Sequence, residues 1–258
     1  MSLKVYLVSR PQFEVETFLA FLYDQDTSWN RSVGATASEE IVEVSGRVCY
    51  MSFGESQSPR TNAAYIRRLI CMGHESVLEH VNWTFLLTGV SRAFTHQLVR
   101  HRAGFAFSQL SQQYHDENDA DFVEPSQLRQ FPHAHTAWQH AMQTAKEAYR
   151  SITESLQQLE AEPDLTLQKK EIKRAIRSAA RSVLPNATAT KIMLTANARA
   201  LRHFLKVRGA IPGDEEMRRV ATALLAHLQV AAPSLFFDFS VDTLSDGSPI
   251  VIYQAAIE

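Results

Sequence analysis

The sequence predicts an α+β fold, and three observations carry that prediction. Short runs rich in β-branched and aromatic residues, "LKVYLV" at 3–8 and "ATKIMLTA" at 189–196, have the composition of strands. Longer stretches place apolar residues at helical spacing. Strand-like and helix-like segments do not alternate regularly, so a βαβ parallel architecture is not indicated. With 258 residues, 45% of them hydrophobic and 21% charged, the chain has material for one large domain spanning 1–258.

Taken in order, "LKVYLV" is the opening strand and residues 14–23 a short helix, and the polar stretch 24–38 reads as a loop. "EEIVEVSGRVCYMSF" fits helix or strand, because its periodicity does not separate the two. In "SPRTNAAYIRRLICMG", Thr61 or Asn62 can cap a helix whose Tyr65, Ile66, Leu69 and Ile70 share a face, with Gly73 to end it. "VNWTFLLTG" (81–89) is a strand, and Ser91 can cap a helix "RAFTHQLVRHR" (92–102). A long helix follows over about 134–160 with a break at Pro163, then another over about 167–183 that stops near Pro185. Beyond the strand 189–196 come a helix ended by Gly209, a further helix over 214–230, an extended segment "LFFDFSVD", and a turn around "SDGSP".

A net charge of −2 argues against a whole-chain nucleic-acid footprint but leaves room for a local basic pocket. Two cysteines, Cys49 and Cys71, make neither a disulfide framework nor a four-ligand zinc site, which points to a reducing cytoplasm. No run approaches the ~20 apolar residues a membrane-spanning helix needs, and "MSLKVYLVSR" has no cleavage-like segment, so neither a membrane nor export is expected.

Chemistry-bearing residues concentrate in two strand–helix units. The first holds Arg92, His96, Gln97, Arg100, His101 and Arg102; the second holds Asn197, Arg199, His203 and Arg208, with Arg181 just upstream. Arg199 and His203 are four apart and share a helix face. Guanidinium groups suit doubly charged phosphates because they offer a fixed fork of donors. The competing account, surface ion pairs with Asp or Glu, fits any one of these arginines better than it fits all of them, since nearby carboxylates are few. "GHESVLEH" (73–80) misses both H-E-x-x-H and its inverted form, so no metal site is expected. His80 reads as a buried core histidine, whereas His74, beside a glycine at an element boundary, is the better site candidate. Neither G-x-G-x-x-G after a strand nor G-x-x-x-x-G-K-[ST] occurs, and Ser111 lies in "SQLSQQ" rather than G-x-S-x-G.

Three segments, in order, carry a resemblance. "RHRAGFAFSQLSQQY" (100–114) resembles the signature of the flavin-dependent thymidylate synthases; "GHESVLEH" is similar to their upstream flavin-contacting segment; and "ARSVLPNATATKIMLTANARALRHFLKVR" is similar to their downstream one. The matches span roughly Val42 to Ala221. The resemblance implies a mixed or antiparallel sheet flanked by helices, a homotetramer with active sites shared between subunits, and C5 methylation of dUMP to dTMP. FAD would be bound, and methylenetetrahydrofolate and NADPH would be co-substrates. His74, Ser76, Glu79, Arg100, His101, Arg102, Asn197, Arg199 and His203 would contact the flavin. Gln97, Gln109, Leu110, Ser111, Gln112, Gln113, Arg181 and Arg208 would bind the nucleotide. Arg208 and His74 are the catalytic candidates, with Arg208 polarising the pyrimidine, and no cysteine nucleophile is implied.

The chain departs from the family pattern at several positions. Gln113 stands where an arginine is usual; the exchange removes a charge and a forked donor, about 1.5–3 kcal/mol for a direct contact. Gln109 stands where other members carry glutamate near the ribose. "GAIPGDEEMRR" after Arg208 lacks a flavin-side histidine. Because these changes fall on the acceptor side, a UMP methylase of nucleoside antibiotic biosynthesis is the alternative. A non-catalytic nucleotide-binding oligomer is the alternative of another class.

Overall fold

The computed structural model describes residues 2–160 and 169–255. Strand β1 (Lys4–Ser9) is followed by helix α1 (Val15–Asp24). The ambiguous segment is helix α2 (Ala37–Val48), so the polar stretch read as loop to residue 38 ends two residues earlier. A capping box decides it. The Thr36 side chain accepts from the Glu39 N–H, and the Glu39 carboxylate accepts from the Thr36 N–H. Helix α3 (Asn62–Cys71) is capped by Thr61, whose Oγ1 accepts from the Ala64 N–H, and it buries the predicted Tyr65, Ile66, Leu69 and Ile70. "ESVLEH" is a 3₁₀ helix, anchored by buried Val77 and Leu78.

Strand β2 (Asn82–Ser91) runs into helix α4 (Arg92–Leu98), capped by Ser91. The predicted helix to residue 102 is too long. The backbone tightens where Arg100 N–H donates to the Gln97 carbonyl (3.2 Å), and Gly104 turns the chain at φ 72° into a short strand, β3 (Phe105–Gln109). That strand was not foreseen from the sequence.

Helix α5 (Pro132–Leu156) matches the long predicted helix, with proline in its first turn. The predicted break at Pro163 and the predicted start at Leu167 lie outside the described residues. Helix α6 (Lys169–Ala180) buries Ile172, Ile176 and Ala180 at four-residue spacing and tightens into a 3₁₀ turn at Arg181–Val183.

Strand β4 (Ala189–Asn197) leads into helix α7 (Ala198–Arg208), and helix α8 (Glu215–Ala231) is capped by Asp214. The late extended segment begins as a 3₁₀ turn and becomes strand β5 (Phe239–Thr243), paired antiparallel with an unforeseen β6 (Pro249–Tyr253). Strands β1 to β4 form one sheet in the order β1-β2-β4-β3.

The chain divides into two compact units: Met1–Lys4, Leu87–Arg100 and Phe107–Met193 form one; Val5–Leu86, His101–Ala106 and Leu194–Glu258 form the other. In the second, α8 buries Met217, Val220, Ala221, Leu224, Leu225 and Leu228 along one stripe, and α7 buries Leu201, Phe204 and Leu205. Each large side chain so buried contributes about 1.5–3 kcal/mol. The same unit buries two ion pairs. Arg47 Nε donates to Glu43 Oε1 (2.8 Å), with both side chains fully buried, while Arg202 makes a fork on Asp238 (2.7 and 2.6 Å) and also donates to the Leu235 carbonyl.

Candidate active site

The second unit gathers His74, Ser76, Glu79, His101, Arg102, Asn197, Arg199 and His203, eight of the nine residues expected at the flavin; Arg100 falls in the first unit. The β4–α7 corner organises them. Asn197 ends the strand in extended backbone, and its Oδ1 accepts from the Ala200 N–H (2.8 Å), so it caps α7. Its own N–H donates to the Gly104 carbonyl (3.1 Å), and the next N–H, of Ala198, donates to the Val81 carbonyl (2.9 Å). The His101–Ala106 turn and the end of the "GHESVLEH" segment are thereby tied to the start of one helix. Only glycine fits at 104: its φ is positive, and a Cβ there would lie 2.6 Å from Asn197 Nδ2 and 2.8 Å from Ala200 Cβ.

Charge in this cluster is distributed unevenly. Arg199 Nη1 donates to Glu79 Oε1 (2.6 Å), so two residues expected at the flavin hold each other. Both are half-exposed, and such a pair contributes about 0–1 kcal/mol. Glu75 lies within 4.0 Å of Arg199, Arg202 and Lys206. The exposed Arg102 makes no side-chain hydrogen bond or ion pair among the described residues. His74, at the head of the 3₁₀ helix, and His203, on the exposed face of α7, are open to solvent. The expected burial of His80 is incorrect: it is exposed, because Val77 and Leu78 are the residues of that 3₁₀ helix that turn into the core.

Arg208 Nε donates to His101 Nε2 at 3.1 Å. A guanidinium N–H is always a donor, so Nε2 accepts and the neutral ring carries its proton on Nδ1. Burial, the Arg208 charge and His203 together push the His101 pKa below its ordinary value. An ordinary histidine is half-protonated near pH ~6.5. This one therefore stays neutral at pH 7 and keeps accepting from Arg208. Its folded-state pKa lies below the unfolded one, so the stability it lends is complete above the unfolded pKa. That contribution falls as acidification carries the pH from the unfolded to the folded value. Histidine NMR titration is expected to show a His101 midpoint below the ordinary value, moving upward in Arg208→Ala; an unmoved midpoint contradicts the contact.

Gln97, Gln109, Leu110, Ser111, Gln112, Gln113 and Arg181, seven of the eight residues expected at the nucleotide, fall in the first unit; Arg208 falls in the second. Gln109 ends β3 and donates from Nε2 to Thr95 Oγ1 (3.1 Å) and Thr190 Oγ1 (3.5 Å). The Leu110 N–H donates to the Lys191 carbonyl, and the Leu110 carbonyl accepts from Arg92 Nη2 (2.9 Å). Ser111 opens a turn in which its Oγ accepts from the Gln113 N–H (3.3 Å) and its carbonyl from the N–H groups of Tyr114 and His115. Gln112 is buried, and its side chain interacts with Glu117, opposing the rise that burial causes in the Glu117 pKa. Burial holds the pKa of Arg92 below its ordinary value against the pull of Glu117, with Arg181 adding to the depression, and burial raises that of Glu117.

Sequence reasoning passed over Arg174 and Arg177 of α6. Arg174 Nε donates to Gln113 Oε1 (3.1 Å), Gln113 Nε2 donates to Ser178 Oγ (3.2 Å), and Arg177 Nη1 donates to the Tyr114 carbonyl (2.8 Å). The available signal was their spacing from Arg181, seven and four residues upstream, which sets the three on one helical face. None of the three makes an ion pair among the described residues.

An α+β chain carrying two separate clusters rich in arginine and poor in free carboxylate is a protein equipped for anionic, phosphate-bearing ligands. Residues 33–234 match the model of a family described as Thy1, thymidylate synthase complementing protein, and the chain belongs to that family. It is similar to flavin-dependent thymidylate synthases from several bacteria. The Corynebacterium glutamicum protein is 41% identical over 232 residues, covering 89% of this chain and 90% of the relative. That of Mycobacteroides abscessus is 42% identical over 241 residues, 92% and 93% of the two chains. That of Mycolicibacterium vanbaalenii is 40% identical over 262 residues, 99% and 97%.

The donor set of the second unit fits a flavin dinucleotide. It has the open cation of Arg102 for phosphate and the polar groups of Asn197 and Ser76.

Proposed function

We propose that the chain is an FAD-dependent methylase that converts dUMP to dTMP, with methylenetetrahydrofolate as carbon donor and NADPH as reductant. The observation that carries this reading is the sorting of the motif residues. All but one of the flavin set lie in one unit and all but one of the nucleotide set in the other, each around its own turn and arginines. Bound FAD supplies a hydride carrier. His74, Ser76, Arg102, Asn197 and Arg199 are the residues that hold it, with Glu79 fixing the Arg199 guanidinium.

The rest of the chemistry is positioning and electrostatics. The Ser111 hydroxyl and Arg181 hold the nucleotide phosphate. Arg208, fixed through Nε by His101, keeps its two Nη groups for a pyrimidine carbonyl, where they stabilise negative charge as C5 attacks. Neither cysteine has a role: Cys49 is exposed, Cys71 is partly exposed, and neither belongs to a motif. The active assembly is a homotetramer with sites shared between subunits. Light scattering is expected to give four times the mass of one chain, and a monomer would end that part of the reading.

The direct test is turnover of purified protein with NADPH and methylenetetrahydrofolate, measured as kcat/KM for dUMP and for UMP. Preference for dUMP is the expected result. Preference for UMP would establish the antibiotic-type alternative, and a colourless protein that takes up no FAD would leave only nucleotide binding.

A further inference from the structure

Gln113 removes a positive charge from the turn that the proposed reading assigns to the nucleotide phosphate, and the structure shows what stands beside it. The Gln113 amide is held at both ends by α6, its oxygen by Arg174 Nε and its nitrogen by Ser178 Oγ. Arg174 uses only Nε in that bond; among the described residues its two Nη groups make no hydrogen bond or ion pair, and its side chain is exposed. The guanidinium also lies 5.9 Å from the centre of the Tyr114 ring. Arg177 and Arg181 continue the same face, and Arg177 grips the Tyr114 carbonyl of the same turn.

We propose that Arg174 is a phosphate-binding residue of this chain. Gln113 serves as the bridge that orients its guanidinium, so that a helix arginine takes over a contact the turn no longer supplies. The ligand class is a nucleoside monophosphate dianion, and the proposal rests on the nucleotide reading given above. A glutamine amide suits the bridging role. Its oxygen accepts from the arginine while its nitrogen donates to Ser178, which fixes both groups without adding charge. An arginine at 113 has no acceptor with which to hold Arg174, so the two arrangements are alternatives.

The experiment uses the full-length flavoprotein and measures binding of dUMP and of deoxyuridine by calorimetry, alongside steady-state kinetics. In Arg174→Gln, dUMP binding is expected to weaken about tenfold or more, the scale of one lost charge-assisted contact. Deoxyuridine binding and flavin content should stay unchanged, and KM for dUMP should rise more than kcat falls. Gln113→Arg in the Arg174→Gln background is expected to recover most of the dUMP affinity. Wild-type dUMP affinity in Arg174→Gln overturns the assignment of Arg174. So does an equal loss for dUMP and deoxyuridine, which marks a structural role. A wild-type protein that binds no dUMP overturns the nucleotide reading itself and this assignment with it.

Discussion

Replacing Arg208 by alanine is expected to lower kcat for methyl transfer by about 10²–10³-fold, the effect of removing one preorganised donor from a developing oxyanion. The purified variant should keep the yellow colour of bound flavin, because none of the residues assigned to the flavin bonds to Arg208 except His101. Arg208→Lys separates charge from geometry. An ammonium restores the positive charge but has no Nε–H held by His101 and no paired Nη donors, so recovery should be partial. Arg208→Ala, by contrast, frees His101 from a neighbouring cation, and a rise in its pKa gives an independent reading of the contact. Wild-type turnover in Arg208→Ala, with the histidine shift present, would remove the arginine from the chemistry while leaving the structural bond intact.

Asp238→Ala is expected to destabilise the protein by about 3–5 kcal/mol, measured by urea denaturation, because it leaves a fully buried guanidinium without its carboxylate. Arg202 would retain the Leu235 carbonyl and Glu75 at 3.8 Å, which do not replace a two-bond fork. Arg202→Met alone leaves Asp238 buried and unpaired and should cost a similar amount. The double variant Arg202→Met with Asp238→Leu removes both charges and should recover most of the loss, since a buried ion pair and an apolar pair of similar volume are close in free energy. If the double variant is as unstable as the sum of the singles, packing rather than charge pairing dominates at this position.

Much of this arrangement is readable in the amino-acid order, and its limits have physical causes. Helices α3, α5, α7 and α8 carry apolar stripes long enough for the 3.6-residue period to be unmistakable, and Thr61, Asn197 and Asp214 cap as their residue types suggest. Segment α2 has apolar residues that fit either period. What decides it is the reciprocal bond between Glu39, the first residue of that stretch, and Thr36, which lies three residues upstream of it. Strand β3 is five residues of alternating exposure, too short to outweigh the apparent continuation of α4 through "VRHR". Strand β6, also five residues, exists through its pairing with β5.

The site divides in the same way. Arg199 and His203 share an exposed helix face by spacing alone, and residues of the Arg-His-Arg signature are legible as a group. The fork between Arg202 and Asp238 joins residues 36 apart in sequence, and Gln113 meets Arg174 across 61 residues. Separations of that size leave no periodic trace. His80 shows the converse error: a histidine beside apolar residues suggests burial, yet the 3₁₀ geometry turns Val77 and Leu78 inward and leaves it outside.

Neither compact unit is a continuous piece of chain, and this bears on how the molecule is made. The second unit draws on residues 5–86, six residues at 101–106, and the chain from 194 onward. During synthesis its first third therefore emerges long before its partners exist. The closing piece is the β5–β6 hairpin, where the Val251 N–H donates to the Gly209 carbonyl (2.9 Å) and a side chain at 209 would lie 2.6 Å from Val251 Cβ. Long sequence separation slows folding and prolongs exposure of apolar surface. A nascent chain halted before residue 239 should thus remain protease-sensitive in its N-terminal segment, and no single cut of the chain separates the two units.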